Sequence, residues 1–342
     1  ARELAARGLG RLIAHEPEAV AGAFPSPIDV SIDADTLDDC PHFAGRVVRG
    51  VKNGPSPDWL QARLKAIGLR PISTLVDITN FITYDMNRPL HVFDVAKVQG
   101  ELRVHMAEGG EEVLALDGKT YTFAAGQIVI SDDNGVESIA GVMGGEETGC
   151  TEETTDVFIE SAYWDPVRTA YTGRDLKINS DARYRSERGV DPAYTLPGLE
   201  AATRMVLELC GGEPSEVVQA GAPLQTARSY PHDTARVSRL VGMEIPKADQ
   251  IKYLEALGFV VSGTGDVLDV SVPSWRRDVQ GEADLVEEVA RMASLTGLKG
   301  QPMPRMTSGV PRPILTPLQR REQSARRMAA ASSCDRAFSA TM

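Results

Sequence analysis

The chain has 342 residues, 42% of them apolar and 25% charged, with a formal net charge of −12. That length exceeds one ordinary hydrophobic core and predicts two or three domains, while the acidic balance excludes a plain nucleic-acid coat or membrane-surface binder, because phosphate binding draws on clustered Lys and Arg. No apolar run approaches the roughly 18 residues of a membrane span, the first residues lack a signal-peptide core, and Cys40, Cys150, Cys210 and Cys334 form no C-x-x-C pair, so a soluble protein in a reduced, cytoplasmic setting is expected, without zinc knuckle or disulfide framework.

In chain order, residues 1–14 read as a helix already under way without a capping residue, and 17–27 as a linker rich in Ala, Pro and Gly. The alternating segment 28–32 predicts the first strand of a domain at 28–222. A strand at 43–51 follows, then a helix at 59–67 that Ser56-Pro57-Asp58 starts and Gly68 ends. Leu60, Leu64 and Ile67 give that helix an apolar face. The mostly apolar segment 75–83 leads into ITNFITYDMNRPLHVFD at 78–94. Short strands are predicted at 101–107, 111–116, 120–123, 128–132 and 136–142, with turns at Asp117-Gly118 and Asn134-Gly135. A strand at 158–162, a helix at 166–176 and a longer helix at 192–210, closed by Gly211-Gly212, complete a mostly antiparallel α+β domain.

A second domain is expected at 223–300. Helices at 235–240 and 247–257 precede a hairpin of 259–262 and 267–272, the order of a small winged-helix-like α+β module or of a generic compact one. Residues 301–317 are dense in Pro and Met and predict a linker, with a new amphipathic helix starting at 316; 301–342 is thus a linker and the truncated start of a further domain, and the chain reads as a fragment of a longer polypeptide.

Four constellations carry chemistry. His91 lies between the turn signal Asn87-Arg88-Pro89 and the apolar pair Val92-Phe93. Its imidazole is either a proton donor or acceptor near neutral pH or a half-buried group bonded to backbone. Asn80 and Asp94 share its apolar surroundings. Glycines crowd Ala140-Gly141-Val142-Met143-Gly144-Gly145, as a turn or as a pocket floor where a ligand approaches the backbone. Glu160 sits among apolar neighbours in FIESA, where its carboxylate can accept a ligand hydroxyl, and the polar loop 180–192 either closes the same cavity or is only a loop. Asp284, Glu287 and Glu288 share one helical face at i, i+3 and i+4, with Asp278 just before. They fit a hard cation such as Mg²⁺, or a solvated acidic face neutralised by Arg276, Arg277 and Arg291.

Taken in order, VDITNFITYDMNRPLHVFD, LDG, AGVMGG, the glutamate of FIESA, SDARYRSERGVDP and RRDVQGEADLVEEVAR resemble the β subunit of bacterial phenylalanyl-tRNA synthetases across most of 43–292. The resemblance implies that 28–222 is an editing domain that hydrolyses tyrosine wrongly attached to tRNA(Phe). It implies Glu160 as the group that reads the tyrosine hydroxyl, His91 and Asn80 as polar residues beside the ester, Gly141 and Gly144 as pocket lining, and Ser180 and Ala182 as the opposite wall. Asp278, Asp284, Glu287 and Glu288 match magnesium carboxylates shared with the α subunit. The implied partners are that subunit, in an α2β2 heterotetramer, and tRNA(Phe), with no membrane; ATP is used by the holoenzyme and not bound by this fragment. Two positions depart from the pattern: Ser186 stands where an aromatic residue is common, and Ser180, where threonine is common, keeps a hydroxyl. Two other readings are a scaffold fragment binding tRNA or a subunit without catalysis, and an unrelated metal-dependent hydrolase, which the lack of a histidine or thiol on the acidic helix disfavours.

Overall fold

The computed structural model describes residues 1–13, 16–300, 302–304 and 314–331. His15, Cys334, most of the linker expected at 301–317 and everything after 331 lie outside the described residues. Residues 1–297 form one compact unit and 298–342 another.

The first unit begins with α1 (Arg2–Ala6), β1 (Val30–Ile32), β2 (His42–Arg49), α2 (Asp58–Ala66), α3 (Thr74–Asp85) and β3 (His91–Asp94). Six strands follow: β4 (Leu102–Met106), β5 (Glu112–Leu114), β6 (Thr120–Thr122), β7 (Ile128–Ser131), β8 (Val136–Ile139) and β9 (Met143–Gly144). Then come β10 (Asp156–Tyr163), α4 (Pro166–Asp175), α5 (Asp181–Ser186), α6 (Thr195–Cys210), β11 (Glu213–Pro214) and β12 (Val218–Gly221). One sheet runs β11-β2-β10-β3, with β12 also on β2; another runs β1-β4-β7-β8-β9, antiparallel except for the β1–β4 pair; β5 and β6 make a separate hairpin.

The central strands β2 and β10 are covered on both faces, so nearly every residue in them is buried. Ala44, Val48, Val92, Val157 and Ile159 face α3 and α6 through Leu75, Ile78, Ile82, Leu199 and Val206. Their neighbours Phe43, Val47, Phe93, Phe158 and Ala162 face the five-stranded sheet through Leu102, Val104, Ile128 and Ile130. The period-2 alternation of a strand thus splits one sheet's side chains between two cores.

The second part of the unit contains β13 (Arg228–Asp233), α7 (Thr234–Val241), α8 (Lys247–Ala256), β14 (Val260–Ser262), β15 (Val267–Val272) and α9 (Glu282–Ala293). Its sheet runs β13-β15-β14. Val237, Leu254, Leu268, Val270, Leu285 and Val289 form a core of their own, and the β14–β15 hairpin is the expected wing. The other unit contributes α10 (Pro317–Ala331).

Several local expectations change. The helix expected over 1–14 is five residues long, and Ala1 offers no side-chain cap. Ser56 does not start α2, whose N-cap is Pro57; its hydroxyl donates to Asp77 of α3. The apolar segment 75–83 is helical, because Leu75, Ile78 and Ile82 recur on one face. The strand expected to reach 142 stops at Ile139. The polar loop starting at 180 folds into α5, with the Ser180 hydroxyl accepting from Arg183 N–H at 3.1 Å.

Arg88 ties these layers together. Wholly buried, it donates to the carbonyls of Ala162, at 3.0 Å, and Asp191. Its Cγ lies against Gly198 of α6, where a Cβ would be 2.6 Å away. Burial lowers its pKa to about 10. Arg88→Leu should therefore destabilise the chain by about 3 kcal/mol, since a buried and a half-buried carbonyl lose a charged donor. Urea unfolding followed by tryptophan fluorescence checks this, and a loss under about 1 kcal/mol would refute the clamp.

Candidate functional site

The antiparallel register of β10 and β3 sets Glu160 opposite His91, and directly opposed residues project from the same face of a sheet. That face also carries the Phe158–Phe93 pair two steps along, with ring centroids 6.3 Å apart. Two titratable side chains thus end a row of aromatic ones. Glu160 is 6% exposed, and its Oε2 and the Nε2 of His91 are buried without a hydrogen-bond partner. An unpaired buried polar atom costs roughly 1–3 kcal/mol, and here two occur on directly opposed residues.

Burial moves the two groups in opposite senses. It raises the Glu160 carboxyl to about 8 and lowers the His91 imidazole to about 4. Near neutral pH Glu160 is therefore mostly a protonated acid, able to donate and accept, and His91 is neutral. A histidine that binds a proton only near pH 4 is a poor general base at pH 7, but a good fixed dipole. The ring of Phe93 packs edge-on to the imidazole with centroids 4.5 Å apart, fixing its plane.

Gly144 in β9 completes this wall. A Cβ there would overlap Cε1 of His91, so only glycine admits the imidazole. Gly141 has another task. Its φ of +67° makes the turn after β8, and a Cβ would strike Trp164 at 2.7 Å. Ser180 joins the next element to that turn, its hydroxyl donating to Val142 O at 2.6 Å. This brings α5, with Ala182 in its first turn, beside the segment that leads to Gly144.

Asn80 stands apart from the pair. It is half-buried on α3, which packs on the opposite face of the sheet. Tyr84, one helical turn on, donates its hydroxyl to Asp181 of α5 at 2.6 Å. Asp94, the last residue of β3, serves the fold instead: it accepts from Ala96 N–H and the Thr154 hydroxyl. The sequence reading missed Tyr84, Asp181 and Arg88. The i, i+4 spacing of Asn80 and Tyr84 was the available signal for Tyr84; nothing local marks the other two.

The acidic set on α9 does not converge. Arg276 binds Asp278 through two nitrogens, at 2.8 and 2.6 Å, and Glu288 at 2.8 Å. Arg291 binds Glu288 and reaches Glu3 of α1. Asp284 accepts from Gln280 N–H, and Glu287 is exposed beside an apolar groove at Leu240 and Leu295. Burial works to raise the Glu288 carboxyl, but its bonds to Arg276 and Arg291 outweigh it and hold the pKa below the ordinary value. Among the described residues no group of three or more His, Cys, Asp or Glu is placed to hold a metal. As they stand, Asp278 and Glu288 are taken up by guanidinium groups, Asp284 by a backbone N–H, and the four do not form a magnesium cage.

The B3/4 domain family matches residues 39–211, and the tRNA synthetase B5 domain family matches 231–294. The chain is 68% identical over 332 residues to the phenylalanine–tRNA ligase beta subunit of Cereibacter sphaeroides, covering 97% of this chain and 41% of that protein. To the protein of the same name from Ruegeria pomeroyi it is 64% identical over 330 residues, 96% of this chain and 41% of the relative. It thus spans about two fifths of the length of these curated relatives. A crystal structure of an N-terminal fragment of the phenylalanyl-tRNA synthetase beta subunit from Pyrococcus horikoshii overlaps 84% of this chain and 79% of that one at 16% identity, with a TM-score of 0.40.

The Glu160 shift has a stability consequence with a definite sign. A carboxyl whose folded pKa is raised stabilises the fold fully below its ordinary 4.5, and that contribution is lost as pH rises to about 8. The stability of Glu160→Gln relative to the unaltered chain should therefore climb between pH 4.5 and 8, by on the order of 1 kcal/mol per pH unit at most. Urea unfolding at a series of pH values checks it, and a flat difference would show that Glu160 ionises normally.

Proposed function

We propose that this chain, which belongs to the B3/4 domain family, is the part of a phenylalanine–tRNA ligase beta subunit that hydrolyses tyrosine wrongly joined to tRNA(Phe). The observation that carries this reading is the in-register pair of Glu160 and His91, with two buried atoms lacking partners in an otherwise apolar wall. Tyrosine exceeds phenylalanine by one hydroxyl. A pocket built around phenylalanine excludes that hydroxyl imperfectly, whereas a second pocket with a buried polar group selects it, because the analogue lacking it leaves that group unpaired.

In this reading Glu160 binds the phenol hydroxyl, donating and accepting as its raised pKa permits. Gly144 leaves room for the imidazole, and Ser180 with Ala182 forms the facing wall. His91 positions or polarises the ester, while Asn80, on the helix that covers the opposite face of the sheet, stands away from it. The lowered pKa of His91 favours orientation of the attacking water over proton abstraction, and a ribose hydroxyl of the tRNA is a candidate to assist that water.

His91→Ala should slow Tyr-tRNA deacylation at least about tenfold, and Glu160→Ala should erode the preference for Tyr-tRNA over Phe-tRNA. Deacylation rates on both substrates check both expectations. If the unaltered chain hydrolyses Tyr-tRNA no faster than buffer, the non-catalytic scaffold reading takes over. Amino-acid activation with ATP is assigned to an α subunit in an α2β2 assembly, so this chain alone should not aminoacylate.

No helix among the described residues is long and apolar enough to cross a membrane, and a cytoplasmic location is part of the proposal. The Mg²⁺ expected at Asp278, Asp284, Glu287 and Glu288 would need oxygens from outside this chain, since Arg276 and Arg291 already engage Asp278 and Glu288. Calorimetric titration of Mg²⁺ into the chain should show no saturable binding. Saturable binding that Asp284→Ala abolishes would contradict this.

A further inference from the structure

The row of residues that crosses the sheet at the candidate site contains a glycine. Val218 of β12 opposes Gly45 of β2, Gly45 opposes Glu160 of β10, and Glu160 opposes His91 of β3, so all four belong to one face. Gly45 is buried in mid-strand, and it is not among the glycines with positive φ. Its backbone therefore does not call for glycine. A glycine inside a strand weakens it, and often marks a place where another group comes close.

The group that comes close is Phe158. Its own partner on β2 is Val47, yet its ring leans two residues along the same face and ends over Gly45. A Cβ on Gly45 would lie 2.5 Å from Cε1 of that ring and nearer still to Cζ. The ring tip thus takes the place of a side chain at position 45, directly across from Glu160. On the other side of Glu160 stands the His91 imidazole, backed by Phe93. The titratable groups that face the carboxyl are His91 and Cys40, which lies just before β2, and burial holds both neutral. Burial alone raises Glu160 to about 8, so its protonation is set by the packing around it.

We propose that Gly45 is a positioning residue for this site: by carrying no side chain it admits the Phe158 ring beside Glu160, and the ring keeps water from the carboxyl on the β2 side. The consequence for selectivity rests on the hydrolytic reading above, in which a dry, neutral Glu160 recognises a phenol hydroxyl. The consequence for the titration of Glu160 does not.

Carbon-13 NMR of the glutamate carboxyls across pH, with the Glu160 signal identified by its loss in Glu160→Gln, reads that titration without a substrate. Phe158→Leu shortens the side chain and opens the place over Gly45 to water beside a polar group. Glu160 should then titrate at least about one pH unit lower. Gly45→Ala displaces the ring and should lower the titration likewise, with a loss of resistance to urea. The two changes together put a methyl where the ring tip was and nearly conserve volume, so the double variant should recover at least about half of the Phe158→Leu shift. Two unrelated packing defects would add instead of cancelling. The comparison needs only Phe158→Leu and the double variant, should Gly45→Ala fail to fold alone. An unshifted titration in folded Phe158→Leu, or a double variant that titrates no higher than Phe158→Leu, overturns the assignment. With Tyr-tRNA and Phe-tRNA as substrates, Phe158→Leu should lower the preference for the tyrosyl ester at least about threefold, and the double variant should restore it. Absence of any such preference in the unaltered chain would defeat the hydrolytic reading, while the titrations would still decide the role of Gly45.

Discussion

The site depends on the pairing of β10 with β3, which fixes Glu160 opposite His91. A slip of one residue would turn Glu160 into the helical core and set Ile159 or Ser161 opposite His91 in its place. Both faces of this sheet are buried, so the register is held twice, by Val157, Ile159 and Val92 against α3 and α6, and by Phe158 and Phe93 against the five-stranded sheet. Arg88 adds a third constraint just before β3, through the carbonyl of Ala162 two residues after Glu160. The polar pair is held by groups that take no part in its chemistry.

The same burial sets the protonation of the pair. A carboxyl and an imidazole in an apolar wall, without ionic partners, shift toward their neutral forms. Neutral groups with unpaired atoms read a hydroxyl without the cost of keeping a charge dehydrated. The acidic helix α9 shows the opposite solution: there the buried Glu288 has arginine partners, and Glu3 of α1 is drawn into the network. One arrangement leaves polar atoms without partners, the other satisfies them within the chain.

Long elements with a clear period were legible from the residues. The helices at α2, α6 and α8, the strands at β2, β10 and β15, and the wing order of the second domain follow from apolar spacing, turn pairs and glycine caps. Short strands such as β9 and β11, two residues each, carry no periodic signal, and β13 is obscured by Pro231, tolerated because it lies on a sheet edge. Residues 181–186 look like a loop because their charges hide a one-sided helix. Of the candidate site, Glu160, His91 and Gly144 stood out as polar or small residues in apolar company, but only the strand register places them together. The role of Gly141 against Trp164 and the Tyr84–Asp181 bridge depend on contacts between distant segments, which no window of sequence displays.

The central claim is that the buried Glu160–His91 pair selects a phenol hydroxyl. Calorimetric binding of two non-hydrolysable analogues, adenosine bearing a 3′-amide-linked tyrosine or phenylalanine, tests it most directly. The account predicts about tenfold or greater preference for the tyrosyl analogue near pH 7, the equivalent of one buried group left unpaired by the other, and loss of that preference in Glu160→Ala. Equal affinity for the two analogues, or a preference that survives Glu160→Ala, would contradict it.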